Sequence, residues 1–521
     1  MKHRGAAALS FASGFLSLSQ EILWVRLVSV GAHSLPQSFA LVLGSYLAGI
    51  AYGALIGAWV CRNRTRLLAA AGAVLLLAMV MDCVAPCLFV ALVDSVGWVP
   101  LVLVLVSLSA ALRSVAFPIV HHLGSEASER VGASISNIYF ANVMGATLGP
   151  IVTGFFLLDV LGLQQAFLVI NLLSGVVGLA CLVADGSRMA LRAGAAALTV
   201  AVAALLALPE TLMHSLTTAP HGLGSNWRFT PAALGRPNHI IENRQGIIQT
   251  YAWPHGDVVY GANVYDGTVN VDAHVLNNGI LRAYMLPVLR PQAKRVLVIG
   301  LSTGAWARVL TTLPALQEMD IVEINPGYLK LIAQYPEVAP LLHDPRVHIH
   351  IDDGRRWLLR HPEQTYDVVL MNTTFHWRSN ITLLLSHDFL TIAQQHMAPG
   401  ALLYFNATDS MDALYTAATL FQHAYSVSNF VLASDQDETP NLKPEVATAH
   451  LATLRWPETG KPLFDFSLPA DQNVARLVPA IGLVDMPTAL SHITRLPEVI
   501  TDQNMITEYR HGPGLLGKGE Q

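Results

Sequence analysis

The sequence predicts two dissimilar halves: an α-helical transmembrane bundle of about seven spans, then an α/β domain with a doubly wound parallel sheet and a small antiparallel sheet before it. Three observations carry this. Apolar runs such as "LVLGSYLAGIAYGALIGAWV" crowd the first 208 residues. Composition turns to Gly, Pro, His and Asn near residue 209. From residue 291 onward, strand, Gly-rich turn and helix alternate.

Of 521 residues, 53% are hydrophobic and 13% charged, too apolar for an ordinary soluble chain. Candidate spans fall near residues 8–31, 37–60, 67–92, 98–121, 133–157, 162–184 and 190–208, the last short and Ala-rich. Each of the long runs can cross a hydrocarbon layer of roughly 30 Å at a rise of about 1.5 Å per residue. The first stretch carries Glu21 and Arg26 and lacks a small-residue cleavage site, so it is expected to stay as a helix. All four cysteines lie in this half and read as small packing residues. Neither a disulfide framework nor a metal site is signalled. Glu21, Arg26, Asp82, Arg113 and Asn142 are costly in lipid and should face the bundle interior, as a solute path or as interhelical hydrogen-bonding glue.

Lys2 and Arg4, then Arg62, Arg64 and Arg66, then Arg130, then Arg188 and Arg192 all fall on one side, and the alternate loops carry no Lys or Arg. That bias puts the N-terminus in the cytoplasm of a bacterial-type plasma (inner) membrane. Seven spans place the soluble half outside the cytoplasm; six spans and an interfacial seventh helix place it inside. The net charge of −5, without basic runs, gives no nucleic-acid footprint. The expected partners are a lipid bilayer, a small-molecule or lipid acceptor, and a second copy paired through the soluble half.

The expected domains are 1–208 (membrane), 209–238 (linker), 239–290 (small antiparallel sheet) and 291–521 (nucleoside-binding domain). "HIIENRQGIIQTYAW" and "DVVYGANVYDGTVNVDAHV" alternate like strands, with Asp266–Gly267 as the expected turn. Next come "RVLVIG", "MDIVEIN", "VHIHIDD", "YDVVLMN" and "ALLYFNA", with helical segments between them, one near 386–398.

In such sheets ligands bind beyond the carboxyl ends of the strands, where the polar clusters sit. Gly300, Ser302, Thr303 and Gly304 form a loop that lets backbone approach a ligand. Glu323 follows Gly300 by 23 residues, where an acidic side chain accepts hydrogen bonds from both ribose hydroxyls. Asp352, Asp353 and Gly354 can accept from an exocyclic adenine amine. The chain lacks a Walker A lysine loop, and the glycine spacing departs from GxGxxG, so a nucleoside without phosphates is preferred.

The order "VLVIGLSTG", "VEIN", "DPRVHIHIDDGR", "YDVVLMN" resembles the spermidine synthase (aminopropyltransferase) family over residues 239–410. With "SQEILWVRLVSVG" and "ANVMGATLGPIVTGFFLLDVLGLQQAF", the whole chain resembles membrane-fused spermidine-synthase-like proteins whose bundle is similar to half of a major-facilitator-type transporter. The resemblance implies a Rossmann-like methyltransferase/spermidine-synthase fold. It also implies S-adenosylmethionine or its decarboxylated form as cosubstrate, with Glu323 on the ribose and Asp353–Gly354 at the adenine. Family chemistry is attack by an amine on the propyl carbon next to the sulfonium.

The polyamine half of the family pattern is rewritten. Thr303 stands where the family has the Asp that holds the aminopropyl nitrogen. Asn372–Thr373–Thr374–Phe375–His376 replaces Asp-Ser-Ser-Asp-Pro, Gly279–Ile280–Leu281 replaces Tyr-His-Glu, and Asn270 replaces Gln. Lost carboxylates remove charge-assisted bonds to a dication. The acceptor is therefore expected not to be putrescine. Asn372, Thr373 and His376, the last a base titrating near pH 7, are the candidate catalytic residues, with Asn270, Trp377 and Arg378 on the acceptor. A neutral Thr303 also no longer repels a carboxylate, so intact S-adenosylmethionine should bind at least as well as the decarboxylated form. Two alternatives stay open: a transporter or sensor of polyamine-like solutes, and a catalytically silent scaffold.

Overall fold

The computed structural model describes residues 3–125, 131–186, most of 191–199, 235–491 and 495–510. They group into two compact units, one built largely from residues up to 236 together with 242–246, the other largely from 237–241 and 247 onward. The expected seventh span and most of the expected linker lie outside the described residues.

In the first unit six helices are long and apolar enough to cross a membrane: Arg4–Gly31, Pro36–Asn63, Leu67–Val93, Trp98–Ser125, Ile135–Val160 and Leu163–Asp185. Leu55, Trp59, Phe156 and Val183 point outward from this bundle, as a hydrocarbon solvent allows. Small residues let backbones touch. A Cβ at Gly49, Gly53 or Gly57 would lie within 2.6 Å of a carbonyl oxygen of Ser107, Ala111 or Val115 on the fourth helix. Of the polar residues expected to face inward, Glu21, Asp82 and Arg113 are buried, and Arg26 and Asn142 are partly exposed. Arg113 Nε donates to Asp82 Oδ2 at 2.7 Å and Nη2 to Asn171 Oδ1 at 2.6 Å, all three fully buried or nearly so. An uncompensated charge there would be prohibitively costly, and the pairing answers that.

The second unit begins with a four-stranded sheet in sequential order: β1 (His239–Glu242), β2 (Ile247–Tyr251), β3 (Val258–Gly261) and β4 (Val264–Thr268). Its β3–β4 turn is Ala262–Asn263, both in the left-handed region at φ 49° and 66°. Asp266–Gly267, the expected turn, lies instead inside β4. The two-residue connection needs positive φ at both positions, and Asn tolerates it. Asp266 is thereby a strand residue, and its carbonyl accepts from the Ser302 hydroxyl of the glycine loop.

Among the described residues a larger sheet follows, of β5 (Arg295–Ile299), β6 (Glu318–Glu323), β7 (Val347–Ile351), β8 (Tyr366–Met371), β9 (Met397–Asn406), β10 (His423–Val427), β11 (Phe430–Ser434) and β12 (Val484–Asp485). Their order is β12-β10-β11-β9-β8-β5-β6-β7. β5 to β9 pair in parallel. The expectation of a wholly parallel sheet fails beyond β9, where β11, β10 and β12 add antiparallel. A tight turn at Ser428–Asn429, with Ser428 at φ 57°, folds β10 back on β11 without the long crossover a parallel pair needs. The chain runs outward from β5 in one direction and restarts at β8 in the other. Their carboxyl ends therefore form the crevice where such sheets bind ligands.

Candidate active site at the carboxyl ends of the strands

β5 ends in a loop that requires glycine at its first position. Gly300 has φ +85°, and a Cβ there would sit 2.6 Å from the Asn372 carbonyl oxygen, because β8 ends alongside. Ser302, at φ 50°, donates its hydroxyl to the Asp266 carbonyl at 2.6 Å, tying β4 to the loop. Thr303 Oγ1 accepts from the Ala305 amide at 3.3 Å, at the start of the helix Ala305–Leu310 that Gly304 precedes.

Glu323, 4% exposed at the end of β6, faces this loop. Its Oε2 accepts from the Leu301 amide and its Oε1 from the Asn325 amide, each at 2.7 Å. Burial pushes its pKa up to about 7 against the lowering effect of the Leu301, Asn325 and Ile324 amides, and the nearby Asp266 charge adds to the rise. A carboxylate offers about four lone-pair sites. The backbone amides fix the group and leave it acceptor capacity for a further donor.

At the end of β7, Asp353 caps the helix Gly354–Arg360 by accepting from the Arg356 amide at 2.8 Å. Gly354 is required by packing, since a Cβ would lie 2.6 Å from Ile299 Cγ2. Asp352 accepts from the Asp353 amide at 2.8 Å and pairs with Arg356 and, at 3.5 Å, Arg360. Burial works against ionisation there, but these partners hold its pKa below the usual range. Asp352 is thus committed to arginines, and Asp353 is the carboxylate at the helix start.

A cluster that the sequence did not reveal stands beside Glu323. Tyr328 donates its hydroxyl to Asp266 Oδ2, and a Cβ at Gly261 would meet that hydroxyl at 3.1 Å and Arg378 Nη1 at 3.9 Å. Arg378 donates to Thr374 Oγ1 at 2.9 Å and to the Gly261 carbonyl at 3.2 Å. Burial raises the Asp266 pKa and lowers that of Arg378, each opposed by the other's charge. Asp266 went unnoticed because Asp-Gly is so strong a turn signal. Tyr328 carried no signal at all.

The loop after β8 holds the remaining expected residues. The Asn372 amide donates to the Ile299 carbonyl at 2.9 Å. The Thr373 carbonyl accepts from Asn406 Nδ2 at 2.7 Å, while its hydroxyl is buried without a partner. His376 bonds Thr408 Oγ1 through Nδ1 at 2.7 Å, and burial lowers its pKa to about 4. It is a neutral imidazole at neutral pH, so the expectation of a base titrating near pH 7 does not hold in this environment. Trp377 lies against Phe375, ring centroids 5.5 Å apart. Asn270 sits apart from this loop, its amide holding Asp272, Val275 and Asn277.

A buried acid at the end of the second parallel strand, amide-held and facing a glycine loop, stands where α/β domains of this kind commonly bind nucleosides. Residues 284–431 match the family model of the spermine/spermidine synthase domain. That stretch holds Glu323, Asp352–Gly354 and the whole loop after β8, but not β4. The polyamine aminopropyltransferase of Alkaliphilus oremlandii is 38% identical over 85 residues, 16% of this chain and 30% of that protein. That of Streptococcus pneumoniae is 40% identical over 87 residues, with the same shares. The chain thus spans about 30% of the length of the curated relatives it matches. A spermidine synthase solved in complex with the transition-state analogue AdoDATO superposes with a TM-score of 0.36 at 17% identity, covering 43% of this chain and 87% of that one. The C-terminal unit carries a spermidine-synthase-like domain.

Proposed function

We propose that the protein is a membrane-anchored, spermidine-synthase-like transferase that uses S-adenosylmethionine or its decarboxylated form as donor to an acceptor other than putrescine. The observation that carries this is Glu323: a carboxylate fixed by backbone amides at the end of β6, in a family-matching domain, facing the Gly300–Gly304 loop. Glu323 would hold the ribose, Asp353 the adenine amine, and the Gly300–Gly304 loop the sulfur end. The donor supplies a carbon bonded to sulfonium; an amine nitrogen forms the new N–C bond, the C–S electrons return to sulfur, and the ammonium proton passes to solvent. The protein's part is alignment and an acceptor amine held deprotonated. Six spans with a cytoplasmic N-terminus keep the soluble half with the cytosolic donor, and that is the topology we favour.

The test is turnover. Full-length protein in nanodiscs, given either donor and a mixture of primary amines without putrescine, should release methylthioadenosine or S-adenosylhomocysteine, and Glu323→Ala should not. Nucleoside binding without either product would leave the second reading, a transporter or sensor. The buried Arg113–Asp82–Asn171 group in the helical bundle favours that reading, since ionisable residues at such depth commonly mark solute paths.

A further inference from the structure

A second cation is linked to the loop after β8, and no sequence motif announced it. Arg282 opens the helix Ile280–Leu289, directly after the three residues that replace the family's polyamine-facing Tyr-His-Glu. Its guanidinium is fixed from several directions. Nη1 donates to Asn429 Oδ1 and Nε to the Gly279 carbonyl at 3.4 Å. The group lies 4.8 Å from the Phe430 ring centroid and 5.4 Å from that of Trp306, two rings that stack with centroids 4.8 Å apart. Asn429 Nδ2 in turn donates to Asn406 Oδ1 at 3.2 Å, and Asn406 holds the Thr373 carbonyl. This chain of amides links Arg282 to the loop after β8.

Two further features point at a ligand. The Tyr404 and Thr373 hydroxyls are buried and have no partner, although such groups are almost always satisfied. Thr408 and Asp409 adopt φ of 43° and 67°, a conformation that side-chain-bearing residues rarely take, and they carry Asp409 into the field of Arg282. The charged and titratable groups acting on Arg282 are Tyr404, Tyr265 and Asp409. Among the described residues no carboxylate stands within ion-pairing distance of it. Beside the loop after β8 the chain therefore holds one rigid, half-buried cation and one exposed carboxylate, with two orphan hydroxyls buried behind them. A diamine would set an ammonium against that cation, whereas a planar guanidinium matches a carboxylate in both charge and geometry.

We infer that the acceptor is a zwitterion, an amine that also bears a carboxylate, with Arg282 as the residue that selects for the carboxylate. Asp409 faces the ammonium side, and the Tyr404 and Thr373 hydroxyls complete the polar lining. This rests on the transferase reading and names its substrate class.

Putrescine and 4-aminobutyrate have the same chain length and differ only at one terminus, which makes them matched probes. Full-length protein in nanodiscs, saturated with methylthioadenosine, is titrated calorimetrically with each at pH 7.5. Wild type should bind 4-aminobutyrate at least tenfold more tightly than putrescine. Arg282→Gln should level that preference and Arg282→Lys should restore part of it, with methylthioadenosine affinity unchanged in both variants. Putrescine binding as tightly as 4-aminobutyrate, or neither binding while methylthioadenosine binds, would overturn the inference. Failure of methylthioadenosine itself to bind is a separate result, which removes the transferase reading instead.

Discussion

If Glu323 holds the ribose as proposed, nucleoside affinity should depend on pH. Its two oxygens serve ribose hydroxyls only as acceptors, so binding requires the ionised carboxyl. With a pKa of about 7 in the free protein, about one molecule in eleven is ionised at pH 6 and about ten in eleven at pH 8. The affinity for methylthioadenosine should therefore rise about tenfold, or about 1.4 kcal/mol, between those pH values. One proton per molecule should be released at pH 6 and almost none at pH 8. Calorimetry in two buffers of different ionisation enthalpy reads both quantities. The same shift has a converse in the ligand-free protein. The folded state holds a proton that the unfolded chain gives up above pH 4.5, so Glu323's own contribution falls by about 3 kcal/mol as pH rises from 4.5 to 7. A pH-independent affinity, with no proton released at pH 6, would show that the carboxylate does not carry the ribose.

Other expectations follow from single contacts. Gly300→Ala forces a side chain into a left-handed conformation 2.6 Å from the Asn372 carbonyl; it should lower stability by about 2 kcal/mol in urea titration and weaken nucleoside binding. Arg290 grips the fully buried Glu438 through two hydrogen bonds, at 2.9 and 2.5 Å. Arg290→Met, which strands that carboxylate, should cost about 3 kcal/mol in the same titration. Asn372→Asp restores one family carboxylate but leaves Arg282 and Arg378 in place, so product analysis with putrescine should still show no spermidine. A reporter fused after residue 510 should be cytoplasmic; a periplasmic signal would mean that the chain crosses the membrane once more after Asp185.

What was legible in the sequence was whatever repeats or punctuates. Six helices long and apolar enough to cross a membrane stand out among the described residues because about 20 apolar residues in a row have few other uses. Gly300, Glu323 and Gly354 stand out because each ends or follows a strand at the edge where α/β sheets commonly bind ligands. What stayed hidden was brought together from afar: Asp266 with Tyr328, 62 residues on, and Arg282 with Asn429, 147 residues on. Neither pair leaves a local pattern. His376 was visible as a residue but not as a chemical state, because its pKa of about 4 comes from burial against the loop that carries Thr408. The β10–β11 hairpin escaped notice because its turn is Ser428–Asn429 and lacks the glycine that usually marks one.

The central claim is that this chain binds a sulfonium nucleoside through Glu323. Equilibrium binding of S-adenosylmethionine, decarboxylated S-adenosylmethionine and methylthioadenosine to the full-length protein in nanodiscs, beside Glu323→Ala, tests it most directly. Loss of two charge-assisted bonds should weaken all three by about 100-fold in the variant. Intact S-adenosylmethionine should bind wild type at least as tightly as the decarboxylated form, because Thr303 leaves its carboxylate unopposed. Absence of binding by any of the three to folded wild type, or equal binding by the variant, would contradict the account.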